Sequence, residues 1–255
     1  MAFKKILSLR LTLPLLFLLA CDDSTEPVSN LGGTEELQPE QIALLPLGDS
    51  RVEGARPAYE SYRYELWKLL VAAEHDINFT GNFEDPAVYP SFMEAPFDDE
   101  HAGVGGDQTV DVLSRLDDAL NSANRPPDIV LLGIGGNDLL EGNRPLEVVV
   151  DNIGQIVDQL YAANPEVVVI VEQIAGANPD AEGAAELNSQ LQAMIEQIEE
   201  LAAQQQAAGR TVIAVDMNTG FTSEPGFYAD AVHYSEAGAR EVAERYFVVV
   251  DSLLR

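Results

Sequence analysis

The stretch Ile129-Val130-Leu131-Leu132-Gly133 is an unbroken apolar run that ends in a glycine. Consecutive apolar residues place hydrophobic side chains on both faces of a strand, which is typical of a strand buried inside a sheet. Short apolar runs of this kind recur before and after it. The sequence therefore predicts five strands, at 42–47, 77–80, 129–132, 167–171 and 212–215.

Segments with helical spacing separate these strands. Val112, Leu116 and Leu120 recur every four residues, which places them on one side of a helix. Strands that alternate with helices form a parallel sheet with helices on both sides. We therefore predict an α/β fold, a three-layer α/β/α sandwich with a central parallel sheet. The predicted helices span 62–73, 109–120, 146–161, 184–208 and 237–254, and residues 81–106 are predicted to be a long functional loop.

The chain is strongly acidic. Its 255 residues include 43 Asp and Glu against 14 Lys and Arg, which gives a formal net charge of −29 at pH 7. Such a surface repels phosphate backbones, so we expect no nucleic-acid partner. A well-solvated surface accounts for the charge better than an acidic binding site does. The single cysteine, Cys21, excludes an internal disulfide framework and leaves too little thiol for a Cys-based zinc site.

The N-terminus has the pattern of an export signal. A basic start precedes an apolar run over residues 11–20, which is too short for a comfortable transmembrane helix. The run ends in Leu18-Leu19-Ala20-Cys21, which resembles the lipobox of bacterial lipoprotein signal peptides. The resemblance implies that residues 1–20 are a signal peptide and that Cys21 is the lipid attachment site. The protein would then be an exported bacterial lipoprotein, anchored to a membrane in the periplasm or at the cell surface.

The segment that follows the cysteine is polar and acidic and lacks periodic apolar residues. We predict that residues 21–40 are a flexible tether. The remaining residues, 41–255, are enough for one domain.

Polar residues that could take part in a reaction come after the predicted strands. Gly48-Asp49-Ser50 follows the first strand, and Gly135-Gly136-Asn137-Asp138 comes shortly after the strand at 129–132. Asp230-Ala231-Val232-His233 lies shortly before the last helix. Sites in open α/β sheets gather beyond the C-terminal ends of the strands, so we expect these clusters to meet there.

A serine, an amide and an Asp-x-x-His pair are the ingredients of acyl-transfer chemistry. Ser50 alone is a poor nucleophile, and His233 can take its proton and return it to the leaving group. Asp230 can accept a hydrogen bond from the other ring nitrogen and fix the tautomer. Asn137 can donate an N–H to the developing oxyanion.

The same blocks resemble those of the SGNH hydrolases, also called the GDSL esterase and lipase family, which have a flavodoxin-like sandwich fold. Leu47-Gly48-Asp49-Ser50 resembles the first block, residues 101–109 the second, Gly135-Gly136-Asn137-Asp138 the third and residues 230–233 the last. The resemblance covers nearly all of residues 41–255.

This resemblance implies a carboxylic ester hydrolase with Ser50, Asp230 and His233 as catalytic residues. It also implies an oxyanion hole made of the backbone N–H groups of Ser50 and Gly106 and the amide of Asn137. No metal and no organic cofactor are expected, and the expected partner is a small-molecule or carbohydrate ester.

Within the family, the chain looks most like carbohydrate acetyl esterases of the acetylxylan esterase type, in stretches such as 46–50 and 127–132. It departs from them at three positions. Arg51 stands where an apolar residue is usual, Asp107 where tryptophan is frequent and Tyr234 where proline is common. The likeness to carbohydrate acetyl esterases implies a serine esterase that hydrolyses short-chain acyl esters, with O-acetyl groups on carbohydrate as the substrate.

Two other hypotheses stay open. A lysophospholipase or thioesterase of the same family would need a broad apolar groove. A non-catalytic lipoprotein that binds glycans would be marked by loss of a catalytic residue, whereas all five candidates are present.

His101 either lines the site or orders the loop, and we favour the second interpretation. The oligomeric state is not predicted by the sequence.

Overall fold

The computed structural model describes residues 37–38, 41–141 and 144–255. The predicted signal peptide, lipid attachment site and tether lie outside these residues, apart from Leu37 and Gln38 at the end of the tether. Leu37 is buried, and its carbonyl oxygen accepts a hydrogen bond from Asn124. Within the described residues, none of the helices combines the length and the apolar composition needed to cross a bilayer.

In the part of the chain that the structure describes, six parallel strands form one sheet. The order is β2-β1-β4-β5-β6, and β3 pairs with the C-terminal end of β1, where Leu47 lies opposite Ala102. All five predicted strands are present, and β3 is an addition within the segment predicted to be a loop. The strands are β1 (Ile42–Gly48), β2 (Ile77–Phe79), β3 (Ala102–Gly103), β4 (Ile129–Gly133), β5 (Val168–Gln173) and β6 (Thr211–Asp216).

Helices cover both faces of the sheet, so the predicted three-layer α/β/α architecture is confirmed. All five predicted helices are present, and the short helices α1 and α4 follow the strands that lead into the candidate site. The helices are α1 (Ser50–Glu53), α2 (Arg63–Ala72), α3 (Thr109–Leu120), α4 (Gly136–Glu141), α5 (Leu146–Ala163), α6 (Ala184–Ala207) and α7 (Glu236–Leu254).

Two apolar clusters hold the layers together. Along β4, the side chains of Val130 and Leu132 join the cluster that contains α3, α5 and α6. Ile129 and Leu131 point the other way and join the cluster that contains α2 and α7. This alternation is what the unbroken apolar run predicts for a strand covered on both sides. The core thereby fixes the C-terminal strand ends from which the site is built.

Arg63 anchors the long loop between β2 and α3. Its side chain is fully buried, and its guanidinium donates to Asp85 at 2.8 Å and to the carbonyl oxygen of Asp99 at 2.7 Å. It also donates to the carbonyl oxygens of Val52 and Glu53, both at 2.8 Å. A buried charge is tolerated only when it is paired and hydrogen-bonded. Arg63 therefore ties the loop to helix α1.

Candidate active site

The turn from β1 into α1 places Ser50 at the C-terminal edge of the sheet. A Cβ at Gly48 would lie 2.0 Å from the carbonyl oxygen of Gly133, so only glycine allows the two strands to approach this closely. Asp49 caps α1 by accepting a hydrogen bond from the backbone N–H of Arg51 at 3.0 Å. Ser50 is therefore the first residue of the helix and faces the space beyond the strand ends.

Ser50, His233 and Asp230 form a continuous chain of hydrogen bonds. The Nε2 atom of His233 lies 2.9 Å from Ser50 Oγ, and its Nδ1 atom lies 2.8 Å from Asp230 Oδ2. The other carboxylate oxygen of Asp230 accepts from the backbone N–H groups of Val232 and His233, at 2.9 and 2.8 Å. The structure thus brings Ser50 together with the Asp230–His233 pair, although Ser50 and His233 are 183 residues apart in the sequence. In this arrangement the histidine can accept a proton from the serine while the carboxylate holds its other nitrogen.

Asp230 is suited to keep its negative charge. Partial burial opposes ionisation, but the hydrogen bonds from the backbone N–H groups of His233 and Val232 and from the His233 ring lower the pKa of Asp230 below its ordinary value. Its side chain is 51% exposed, against 20% for His233. The carboxylate is therefore ionised at neutral pH and can fix the tautomer in which Nε2 is free to accept a proton.

Asn137 is hydrogen-bonded to the loop between β3 and α3, at the residue after Gly106. Asn137 donates from Nδ2 to the carbonyl oxygen of Asp107 at 2.9 Å. This bond orients the amide and uses one of its two hydrogens. Gly106 has a φ of +83°, and apart from its two chain neighbours no described residue has an atom within 4 Å of where its Cβ would be. The backbone next to Asn137 therefore adopts a conformation that favours glycine and borders open space.

Helix α4, which carries Asn137, is anchored to α3. The carboxylate of Asp138 is fully buried and accepts from the backbone N–H of Thr109 at 2.9 Å and from its hydroxyl at 2.8 Å. Asn152 on α5 donates to the same hydroxyl oxygen at 2.9 Å. This buried network fixes the start of α4 and with it the position of the Asn137 amide.

The segment around Gly106 is held from two sides. Glu53 accepts from the backbone N–H of Gly105 at 2.6 Å. Arg115 pairs with Asp107 at 2.6 Å and also donates to the carbonyl oxygen of Gly48 at 2.9 Å. Asp107, which replaces a frequent tryptophan, is therefore one half of an ion pair that joins this loop to the turn before Ser50. Such bonds preorganise backbone N–H groups for a developing negative charge.

Arg51 on α1 connects the segment that carries Ser50 to two other segments of the site. Its Nε donates to the carbonyl oxygen of Val232 at 2.8 Å, and its Nη1 donates to that of Ala175 at 2.7 Å. The guanidinium carbon lies 5.1 Å from the centre of the Tyr234 ring, which is within cation–π range. Arg51 and Tyr234, two of the three positions at which the sequence differs from carbohydrate acetyl esterases, therefore contact each other next to the Asp230–His233 segment.

A small cavity of about 30 Å³ opens beside the nucleophile. Glu172 at the end of β5 contributes to its wall, although the sequence analysis did not single out this residue. Glu172 is buried and accepts a hydrogen bond from the Tyr246 hydroxyl at 2.6 Å, and burial raises its pKa to about 7. Its position directly after an apolar run, as for Gly48-Asp49-Ser50, is the signal that could have identified it. The cavity wall includes Ser50, Arg51, Asn137, Glu172, Leu187 and Val232.

His101 is buried in the long loop and is hydrogen-bonded to the backbone. Only 2% of the residue is exposed, and its Nδ1 accepts from the backbone N–H of Gly103 at 3.1 Å. Burial, together with the nearby Arg63 cation, lowers the pKa of His101 to about 2, so the ring is neutral. This agrees with the interpretation that His101 orders the loop. In the part of the chain that the structure describes, no three His, Cys, Asp or Glu side chains are grouped so that they could hold a metal ion.

Comparisons with known proteins identify the family and agree with the fold. The family model described as GDSL-like lipase/acylhydrolase matches residues 44–246. A family 3 carbohydrate esterase of Clostridium thermocellum is 26% identical, with a TM-score of 0.62, over 85% of this chain and 100% of that chain. A carbohydrate esterase family 3 structure from Talaromyces cellulolyticus has a TM-score of 0.70 at 24% identity, over 84% of this chain and 98% of that chain. No curated protein matches the chain.

Proposed function

The chain belongs to the GDSL-like lipase/acylhydrolase family and is a carboxylic ester hydrolase, and we propose that it is a serine esterase for short-chain acyl esters. We further propose O-acetyl groups on carbohydrate as its substrate. The observation that carries the proposal is the hydrogen-bonded series from Ser50 Oγ through His233 to Asp230, at 2.9 and 2.8 Å.

In the first half of the reaction, Ser50 Oγ attacks the ester carbonyl carbon as its proton moves to Nε2 of His233. The carbonyl oxygen becomes an oxyanion. It accepts hydrogen bonds from the backbone N–H groups of Ser50 and Gly106 and from the amide of Asn137. Donors fixed in advance stabilise this charge without reorganising, and removal of one such donor costs about 10²–10³ in rate.

In the second half, the imidazolium of His233 gives its proton to the alcohol oxygen as the ester C–O bond breaks. An acyl group remains on Ser50, and the alcohol leaves. A water molecule then attacks the acyl carbon while His233 accepts its proton, and the proton returns to Ser50 as the carboxylic acid departs. Asp230 stabilises the imidazolium in both halves and stays ionised throughout.

The cavity beside Ser50 supports a small acyl group. Its volume of about 30 Å³ compares with roughly 10–15 Å³ for a single water on the same measure. Arg51 and Glu172, whose guanidinium and carboxyl groups are polar, belong to its wall. A long alkyl chain directed against these groups would lose the free energy that apolar burial normally provides. An acetyl group has too little apolar surface for this loss to matter.

One observation favours the second candidate, a lysophospholipase or thioesterase. A hollow of about 320 Å³, lined mainly by apolar residues, adjoins the small cavity and shares Leu140, Leu187 and Val232 with it. The part of its wall that is not shared with the small cavity includes Ala177, Ala181 and Ala184. A longer acyl chain that turned away from Arg51 would bury its methylene groups there, at roughly 0.8 kcal/mol for each. The acyl-chain preference of the enzyme therefore separates the two candidates.

The carbohydrate part of the proposal rests on the resemblance of the sequence blocks and on three structural neighbours. Two are family 3 carbohydrate esterases, and another is an acetyl xylan esterase with a TM-score of 0.61 at 19% identity, over 82% of this chain and 100% of that chain. The direct test is acetate release from acetylated xylo-oligosaccharides. We expect release by the wild-type protein and by Ser114→Ala, which alters an exposed serine on α3, but not by Ser50→Ala. Activity on p-nitrophenyl acetate without any acetate release from the oligosaccharides would contradict the carbohydrate assignment.

We also propose that the protein is an exported lipoprotein held on a membrane through Cys21. The support is the basic start, the short apolar run and Leu18-Leu19-Ala20-Cys21 in the sequence. Expression in a bacterium with lipoprotein processing should place the wild-type protein in the membrane fraction. The Cys21→Ala variant should lose that association. Equal recovery of both proteins with membranes would refute lipid anchoring at this residue.

A further inference from the structure

The imidazole of His233 is stacked against the ring of Tyr59. The two ring centres are 3.9 Å apart, and the planes differ by 15°. We propose that Tyr59 is a positioning residue, which holds His233 in the plane required by Ser50 and Asp230 and stabilises the imidazolium formed during turnover. This inference rests on the proposed serine-esterase function, because it assigns a role toward the same histidine.

The stack is built into the fold by backbone hydrogen bonds. The segment between α1 and α2 closes on itself, since the backbone N–H of Ala55 donates to the carbonyl oxygen of Tyr59 at 3.2 Å. The next residue, Glu60, donates from its backbone N–H to the carbonyl oxygen of Tyr234 at 2.9 Å. Tyr234 directly follows His233 in the chain. Tyr59 and His233 are therefore brought side by side by the main chain, whatever their side chains contribute.

The two hydrogen bonds of His233 restrain the tilt of the ring only weakly. Asp230 and Ser50 bind the two ring nitrogens and so define the line that joins these atoms. Tilting of the ring about that line is opposed by the side-chain torsions and by what packs on the ring faces. The restraint matters because the Asp230 side chain is 51% exposed and cannot cage the ring by itself. A flat aromatic ring at 3.9 Å adds a restraint on one face.

The same contact favours the charged form of the histidine. The face of a tyrosine ring is electron-rich and attracts a cation that lies over it. This attraction strengthens when His233 becomes an imidazolium, so it acts in the transition state more than in the resting enzyme. Burial, together with the carboxylates of Glu53 and Asp230, raises the pKa of Tyr59 above its ordinary value. The phenol therefore remains neutral while the enzyme works.

A role of Tyr59 in binding the substrate would have a different kinetic effect. A side chain that holds the alcohol portion equally in the ground state and the transition state changes KM and leaves kcat unchanged. A positioning role predicts the reverse. Phenylalanine keeps the ring but lacks the hydroxyl, whereas leucine keeps apolar bulk but lacks the aromatic face. The pair Tyr59→Phe and Tyr59→Leu therefore isolates the aromatic face.

The experiment measures kcat and KM for p-nitrophenyl acetate with the wild-type protein, Tyr59→Phe, Tyr59→Leu and Ser50→Ala. In the three proteins that keep Ser50, active sites are counted with a fluorophosphonate, so that kcat refers to folded, competent enzyme. We expect Tyr59→Leu to lower kcat about tenfold and Tyr59→Phe to stay within about twofold of wild type, both with KM nearly unchanged. Wild-type kcat in Tyr59→Leu, or a raised KM at unchanged kcat, would overturn the inference alone. Activity that survives in Ser50→Ala would overturn the proposed function and the inference with it.

Discussion

Substitution of Asp230 by asparagine should slow the enzyme by reversing the tautomer of His233. Asp230 Oδ1 accepts from two backbone N–H groups, those of Val232 and His233, at 2.9 and 2.8 Å. In Asp230→Asn these two donors keep the amide oxygen on their side, so the new NH₂ group must face Nδ1 of His233. Nδ1 then accepts a hydrogen bond, and the ring proton moves to Nε2. A protonated Nε2 cannot take the proton of Ser50.

The magnitude follows from the exposure of the carboxylate. Where a buried aspartate orients a catalytic histidine, the same substitution costs about 10⁴ in kcat. Asp230 is 51% exposed, so water competes for the imidazole nitrogen and weakens the effect. A charge-assisted hydrogen bond is worth about 1.5–3 kcal/mol, which corresponds to roughly 10–150-fold in rate. We therefore expect kcat to fall about 10²-fold, with KM nearly unchanged because the ring stays in place.

The assay is steady-state hydrolysis of p-nitrophenyl acetate between pH 6 and about pH 9, within the range where Asp230 is ionised. Asp180→Asn is the matched control, because Asp180 is an exposed aspartate in another loop and its substitution should leave kcat unchanged. Raising the pH should not restore activity to Asp230→Asn, since the proton on Nε2 belongs to a neutral ring. A kcat within about twofold of wild type would refute the argument that Asp230 sets the tautomer.

Two further predictions concern the other polar groups of the site. Asn137→Ala should lower kcat by about 10²–10³ with little change in KM, because the amide acts on the oxyanion; a loss confined to KM in the same assay would show that it only binds substrate. Glu172→Gln should gain stability relative to wild type as the pH rises. Burial raises the pKa of Glu172 from 4.5 to about 7. Below pH 4.5 the acid is protonated in both the folded and the unfolded wild-type protein, and the wild-type protein loses this stability as the pH rises through 7, because folding then opposes ionisation of the buried acid. Glutamine cannot ionise, so the variant does not lose it. Urea unfolding should show the difference between the two proteins growing by about 3 kcal/mol over this range, and a difference independent of pH would contradict the burial argument.

The long elements could be predicted from the sequence because their apolar residues are periodic. The run at 129–132 became the centre of the sheet, and Val112 and Leu116 lie on the buried side of α3. The short elements could not. Helices α1 and α4 have four and six residues, too few to show a period of 3.6. Strand β3 has two residues and exists because it pairs with the end of β1.

The candidate site was predictable to the extent that strand ends determine it. Ser50 and Asn137 come shortly after the strands β1 and β4, and parallel strands bring their ends to one edge. Tyr59 lies beside His233 because Glu60 hydrogen-bonds to Tyr234, and no local pattern encodes a bond between segments so far apart in the chain. Arg51 was visible as a departure, but its carbonyl partners at 175 and 232 could not be predicted without the fold.

The most direct test of the account compares the hydrolysis of p-nitrophenyl acetate, butyrate and octanoate by the purified protein and by Ser50→Ala. We predict that wild-type kcat/KM is highest for acetate and falls steeply toward octanoate, and that Ser50→Ala is inactive on all three. A preference for octanoate would contradict the short-acyl proposal and would favour the lysophospholipase or thioesterase candidate. The absence of Ser50-dependent hydrolysis with every ester would contradict the central claim that Ser50, His233 and Asp230 form a working catalytic triad.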